Sequence, residues 1–153
     1  MDQLTRDEAL QLLNTTPVAH LGLISDGAPY VTPMSFVVDG EEILFRTMAG
    51  KKLNALRDNP NVCVEVSQFD EETGEWASVI VTGTATEVAD RNKGERAVQL
   101  LFDKYANVLG DPLSRGGLQP MPGLPYLVSL KIEQITGVSS GRGFSPRTRP
   151  GRL

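Results

Sequence analysis

A strand that ends in a hydroxyl residue, turns through glycine and enters a helix on two lysines is the first stretch of this chain with visible chemistry: Phe45-Arg46-Thr47-Met48-Ala49-Gly50-Lys51-Lys52. Free amides at a helix N-terminus attract anions, and neighbouring cations add full charges. Lysine in a first turn opposes the helix dipole, which favours Asp or Glu there. Two such lysines point to a bound anion, with a terminal phosphate the obvious candidate; two solvated lysines are the plain alternative. The stretch is not a nucleotide P-loop, because the G-x-x-x-x-G-K-[ST] spacing is absent. A second group is Trp76-Ala77-Ser78, where the only tryptophan and a hydroxyl share one strand face. That pair suits a flat heterocycle, and equally a tryptophan packed at a barrel end. His20 and Cys63 are the only residues of their kinds. Between them they exclude a multi-histidine metal centre, a cysteine-rich zinc site and an internal disulfide. Cys63 reads as a passive small side chain and His20 as a structural residue at the start of a strand. No side chain stands out as a catalytic acid, which leaves solvent, Tyr30 or His20 as the source of a proton.

These residues need elements to hold them. Thr5 and Glu8 form a capping-box pattern, so a short helix runs from Thr5 to Leu13 and stops before Pro17. From Val18 to Val88 the pattern is mainly strands: Val18–Ile24, Tyr30–Val38, Ile43–Thr47, Val62–Phe69 and Trp76–Val88. Turn chemistry at Asp26-Gly27 and Asp39-Gly40 separates the first three. A short helix, Lys51–Asp58, closes at Asn59-Pro60. Close strand spacing predicts a sandwich or barrel rather than alternating βαβ units. A long helix follows from Asp90 to about Leu109, then a Gly/Pro-rich connection, then a sixth strand, Tyr126–Thr136. Gly83 marks a bulge or a close backbone approach. The second strand is apolar on both faces, with Tyr30, Met34, Phe36 and Val38 one way and Val31, Pro33 and Val37 the other. Its second face therefore expects a cover: a subunit or a ligand, or, as the bland alternative, a helix of the same chain.

The 153 residues amount to about one domain. The expected division is a domain over 1–136 and an arginine-rich tail over 137–153. A net charge of −4 argues against nucleic acid or an anionic membrane as the main partner. No apolar run approaches the ~20 residues of a membrane span, and MDQLTRDEAL lacks the charge pattern of a signal peptide. The expectation is a soluble, cytoplasmic domain.

In order, HLGLISDGAPYVTPMSFVVDGEEILFRTMAGKKLNALRDNPNVCVEV and then EWASVIVTG resemble the pyridoxamine 5′-phosphate oxidase-like, flavin-binding split-barrel family. The small, nitroimidazole-resistance-type branch is the nearest match, over Val18 to Val88. The resemblance implies a mainly β protein with helices: a six-stranded split β-barrel, a homodimer, and FMN at the subunit interface. It also accounts for the two-sided apolar strand. By position it implies that Thr32, Pro33, Met34, Ser35 and Phe36 line the isoalloxazine ring, through backbone and side chains. Arg46 and Thr47 would meet the ribityl and phosphate region, Lys51 and Lys52 would hold the phosphate, and Ser78, with Trp76 beside it, would come from the other subunit. True pyridoxamine phosphate oxidases carry a C-terminal Arg/His segment that SSGRGFSPRTRPGRL does not reproduce, which puts that substrate in doubt. The implied activity is an FMN-dependent oxidoreductase acting on a small molecule the sequence does not name. On the same fold the deazaflavin F420 is the alternative cofactor, its anionic tail suited to Lys51, Lys52, Arg57 and the tail arginines. A different class of reading is a non-catalytic carrier of flavin, haem or a lipid-like ligand, with His20 as a haem ligand.

Overall fold

The first helix begins where its capping residues place it. In the computed structural model, which describes residues 1–109 and 125–141, Thr5 Oγ1 accepts the Glu8 N–H at 3.2 Å. The Glu8 carboxylate accepts the Thr5 N–H at 2.9 Å. That closes the box at the head of α1 (Arg6–Thr15). The remaining elements are β1 (Asp2–Gln3), β2 (Ala19–Ser25), β3 (Ala28–Met34), β4 (Val37–Asp39), β5 (Glu42–Thr47), α2 (Lys51–Asp58), β6 (Asn61–Phe69), β7 (Trp76–Glu87), α3 (Arg91–Leu109) and β8 (Tyr126–Ser139).

Every pairing is antiparallel, and the sheet path runs β3-β2-β6-β7-β8-β5-β4. Its two end strands are consecutive in the chain, joined only by Ser35 and Phe36. That link spans at most about 11 Å, whereas a flat sheet of this path would separate its ends by about 29 Å. The sheet must curl until its ends nearly meet, which makes a split barrel. Pro29 and Pro33 fix β3 as an end strand, because proline cannot donate to a second neighbour. Asp26 and Gly27, with φ of 51° and 77°, form the tight turn that feeds β2 into β3.

Two apolar clusters hold the fold. Leu21, Phe36, Ile43, Phe45, Val64, Val79, Val81 and Leu130 fill the barrel, and α1 plugs it with Leu12 and Leu13. Val37 and Leu44 face outward under α3, against Ala97, Leu101 and Tyr105. Each fully buried side chain of this size contributes about 1.5–3 kcal/mol. Ion pairs tie α3 to the β4–β5 hairpin: Arg96 with Asp39 at 3.0 Å and Lys93 with Glu42 at 2.6 Å.

Two expectations change. The six strands become eight, because the segment read as one strand from Tyr30 to Val38 is β3 and β4, and because β1 adds a two-residue pairing to Val138 and Ser139. Pairing with β2 ends at Met34, opposite Ala19, and from Val37 the chain pairs with β5 instead. The last strand runs to Ser139, three residues past the expected end, since β7 and β1 flank it there. Gly137 is therefore within the sheet; a Cβ on it would come within 2.9 Å of Leu4. Gly83 does sit at a register shift, where a Cβ would lie 1.9 Å from the Lys131 carbonyl oxygen. The connection over 110–124 and the arginines Arg142, Arg147, Arg149 and Arg152 lie outside the described residues. Among the described residues no helix is long and apolar enough to cross a membrane.

Candidate functional site

The strand-to-helix junction forms as its sequence dictates. β5 ends at Thr47, and Gly50 takes φ 152° and ψ −158°, a conformation open in practice only to glycine. That turn starts α2 with no side-chain cap and no acid in its first turn. Leu53, Ala55 and Leu56 bury the inner face of α2, which packs on β2. The first N–H groups are left without intrahelical partners; Asn54 is the first to bond back, to the Gly50 carbonyl at 3.0 Å.

The two lysines behave differently. Lys51 is exposed, with Nζ 4.3 Å from the centre of the Tyr30 ring, so it joins the head of α2 to β3. Lys52 is half-buried, and burial lowers its pKa from the ordinary lysine value. It has no hydrogen-bond or carboxylate partner among the described residues, so its charge is left uncompensated at a dipole end that repels it. Arg46 is half-buried as well, and burial lowers its pKa too. Thr47 is 4% exposed, its hydroxyl turned to the Met48 carbonyl at 3.3 Å.

Along the expected ring-binding strand the side chains divide. Thr32 is half-buried, Pro33 exposed and Ser35 half-buried, so these three can meet a ligand. Met34 and Phe36, also expected at the ring, are core residues in the single chain, at 7% and 0% exposure. The second face of this stretch is covered at one end only. α3, the helix of the same chain, lies over Val37, while Val31 stays 64% exposed.

Trp76 and Ser78 are not brought to the lysines within one chain. β7 stands three strands from β3, roughly 14 Å across the sheet. Both residues lie half-buried on the outer face, where Trp76 pairs with Phe69 and Ser78 with Ser67. Strand register continues this face in rows: Pro33, His20, Glu65, Ile80 and Thr136, then Val31, Gly22, Cys63, Thr82 and Gln134. Phe69 and Ile80 are exposed at 67% and 47%, and with Val31 they give the face apolar character. A groove of about 480 Å³ opens on it, lined among others by Gly22, Val31, Cys63 and Thr82.

Two contacts were not legible in the sequence. His20 Nδ1 lies 3.1 Å from Glu65 Oε2, a cross-strand pair that needs the β2–β6 register. The Lys51–Tyr30 contact needs α2 placed against the end of β3, which no local pattern predicts. No group of three or more His, Cys, Asp or Glu suited to a metal occurs among the described residues.

The comparisons agree with this geometry. A family model described as pyridoxamine 5′-phosphate oxidase matches residues 5–139. An uncharacterized protein of Mycobacterium tuberculosis is 32% identical over 141 residues, covering 89% of this chain and 83% of that one. Among solved structures, an FAD-binding protein of Mycobacterium smegmatis superposes with a TM-score of 0.66 at 26% identity, covering 90% of this chain and 98% of that one. A candidate 5-nitroimidazole antibiotic resistance protein of Bacteroides thetaiotaomicron gives a TM-score of 0.72 at 16% identity, covering 89% and 85%, a likeness of fold. With most of its length matched, and with the split barrel and its uncapped lysine-headed helix in place, the chain belongs to the pyridoxamine 5′-phosphate oxidase-like family of flavin-binding folds.

Proposed function

We propose that this protein is a flavin-dependent oxidoreductase that acts on a small molecule as a homodimer, with FMN as its cofactor. The observation that carries the reading is Lys52: a half-buried ammonium without a partner among the described residues, at the uncapped and acid-free head of α2. A phosphate monoester placed there meets the Lys52 charge and the free α2 amides together. Lys51, held over Tyr30, brings a second cation to the same end of β3. The ring then lies along Thr32, Pro33 and Ser35, whose exposed polar and backbone groups orient it. Trp76 and Ser78 complete the site from a second copy, since within one chain they stand on another part of the sheet. When bound, the flavin supplies hydride or electron transfer, and these residues position it and exclude water.

The test is the absorption spectrum of the purified protein, with mass analysis of whatever small molecule co-purifies, and light scattering on the same sample. Flavin bands with an FMN mass and a dimer mass are expected. An FAD mass would keep the oxidoreductase reading and replace the cofactor, and a deazaflavin mass would do the same for F420. A colourless protein that takes up neither FMN nor FAD on reconstitution would overturn the proposal, and a Soret band would favour haem.

A further inference from the structure

The residues that shape the ring end of the site include two that approach from behind it. Between β3 and β4 the chain passes through Ser35 and Phe36, which lie outside the strand registers on either side. Backbone polar groups there need other partners. The Phe36 N–H donates to Tyr105 Oη at 2.9 Å, and the Tyr105 hydroxyl donates to the Pro17 carbonyl at 2.6 Å. Ser35 is the residue next to Phe36 on this crossover. Tyr105 is 1% exposed. Lys104, the residue before it, is 8% exposed, with Nζ 3.4 Å from the centre of the Phe36 ring and donating to the Leu13 carbonyl at 3.1 Å. Two consecutive α3 residues thus fix the end of α1, the entry to β2 and the β3–β4 crossover.

Packing alone does not call for this arrangement. Ala97 and Leu101 already seal α3 against Val37 and Leu44, and a phenylalanine at 105 would fill nearly the same volume. What the hydroxyl adds is direction. It donates to one segment and accepts from another, so the crossover has one allowed orientation instead of several. Ser35, one of the three residues whose side chains can meet the ring, directly precedes the Phe36 N–H that the hydroxyl holds.

We propose that Tyr105 is a positioning residue for the flavin ring, its hydroxyl fixing the Ser35–Phe36 crossover so that Ser35 and the end of β3 are presented to the cofactor. The inference rests on the flavin reading above. Because Tyr105 acts at the ring end, its loss should weaken ligands with and without a phosphate alike.

Wild type, Tyr105→Phe, Ser35→Ala and the double variant are titrated with FMN and with riboflavin. Binding is followed by flavin fluorescence and by visible circular dichroism at saturation, with thermal unfolding of each chain beside it. Tyr105→Phe is expected to fold, to lose about tenfold in affinity for both flavins, and to alter the dichroism of the bound ring. Its effect and that of Ser35→Ala should be less than additive, since both act on the placement of one short crossover. Unchanged affinity and dichroism, however far the melting point falls, would make Tyr105 structural only and overturn the proposal. Strictly additive effects, or a Tyr105→Phe chain that does not fold, would overturn it too. Wild type that binds neither flavin overturns the flavin reading itself, an outcome distinct from wild type that binds and a variant that matches it.

Discussion

At the scale of residues, Lys52 is the sharpest test. Charge-assisted hydrogen bonds contribute about 1.5–3 kcal/mol. Lys52→Ala should therefore weaken FMN by roughly 10–150-fold at 1.4 kcal/mol per decade. It should leave riboflavin, which lacks the phosphate, nearly unaffected; fluorescence titration of both ligands reads the difference, and equal losses would show that Lys52 acts through structure. Lys51→Ala should cost less, because its charge is shared with the Tyr30 ring at 4.3 Å. Gly50 makes a prediction of another kind. Its φ of 152° and ψ of −158° are closed to other residues, so Gly50→Ala should lower stability by about 1–3 kcal/mol in urea unfolding. Much of this site was legible because a helix start is a local event: dipole, glycine and lysines sit within six residues of sequence. What stayed hidden was the surroundings. Spacing alone left Lys52 open as a solvated side chain, and only α2 packed on β2 shows it half-buried.

Elements were legible where their ends carry chemistry. The Thr5–Glu8 box, the Asp26-Gly27 turn and Asn59-Pro60 each mark a boundary that the structure keeps within a residue or so. The Tyr30–Val38 segment misled because its break is a change of partner: β2 pairs with it only as far as Met34, and from Val37 it pairs with β5 under α3. The sequence likewise could not reveal what the Tyr105 hydroxyl meets. Lys104 shows the energetic consequence of that docking. Burial pushes its ammonium down to about 7, against the ordinary 10.5, while the Leu13 carbonyl and the Phe36 face favour the charge. With the folded value below the unfolded one, the unfolded chain binds the extra proton between them. Stability should rise from about pH 7 towards 10.5 on this account, and the whole contribution should be lost below 7. Lys104→Met, of similar length without the charge, should flatten that rise; urea unfolding at pH 6, 8 and 9.5 measures it. An unchanged slope would mean that Lys104 is not the group responsible.

At the scale of the whole molecule, the question is what covers the outer sheet face. Val31 at 64%, Phe69 at 67% and Ile80 at 47% exposure stand out on this face, with Pro33 near the first, Trp76 beside the second, and the His20–Glu65 pair between Val31's strand and Ile80's. A sheet face in water should be polar outside, and this one sets Val31, Phe69 and Ile80 among the polar His20, Glu65, Ser67 and Thr82. The same face carries Trp76 and Ser78, so a second copy seated on it would both bury the apolar residues and bring those two to the first copy's flavin. A specific interface of that kind normally buries more than about 1,000 Å² in total, an area a face this wide can supply. Because Val31 and Ile80 are exposed in the single chain, a charge at either should leave the barrel itself intact. Val31→Glu and Ile80→Lys are therefore expected to halve the mass seen by light scattering, with the melting point of the apoprotein shifted only by the loss of the partner. They should release FMN more readily as well, since the part of the site on β7 leaves with the second copy. Wild type that is monomeric at micromolar concentration would refute the shared site. Variants that become monomeric yet keep FMN at wild-type affinity would show that one chain holds the flavin alone, with Trp76 and Ser78 outside its site.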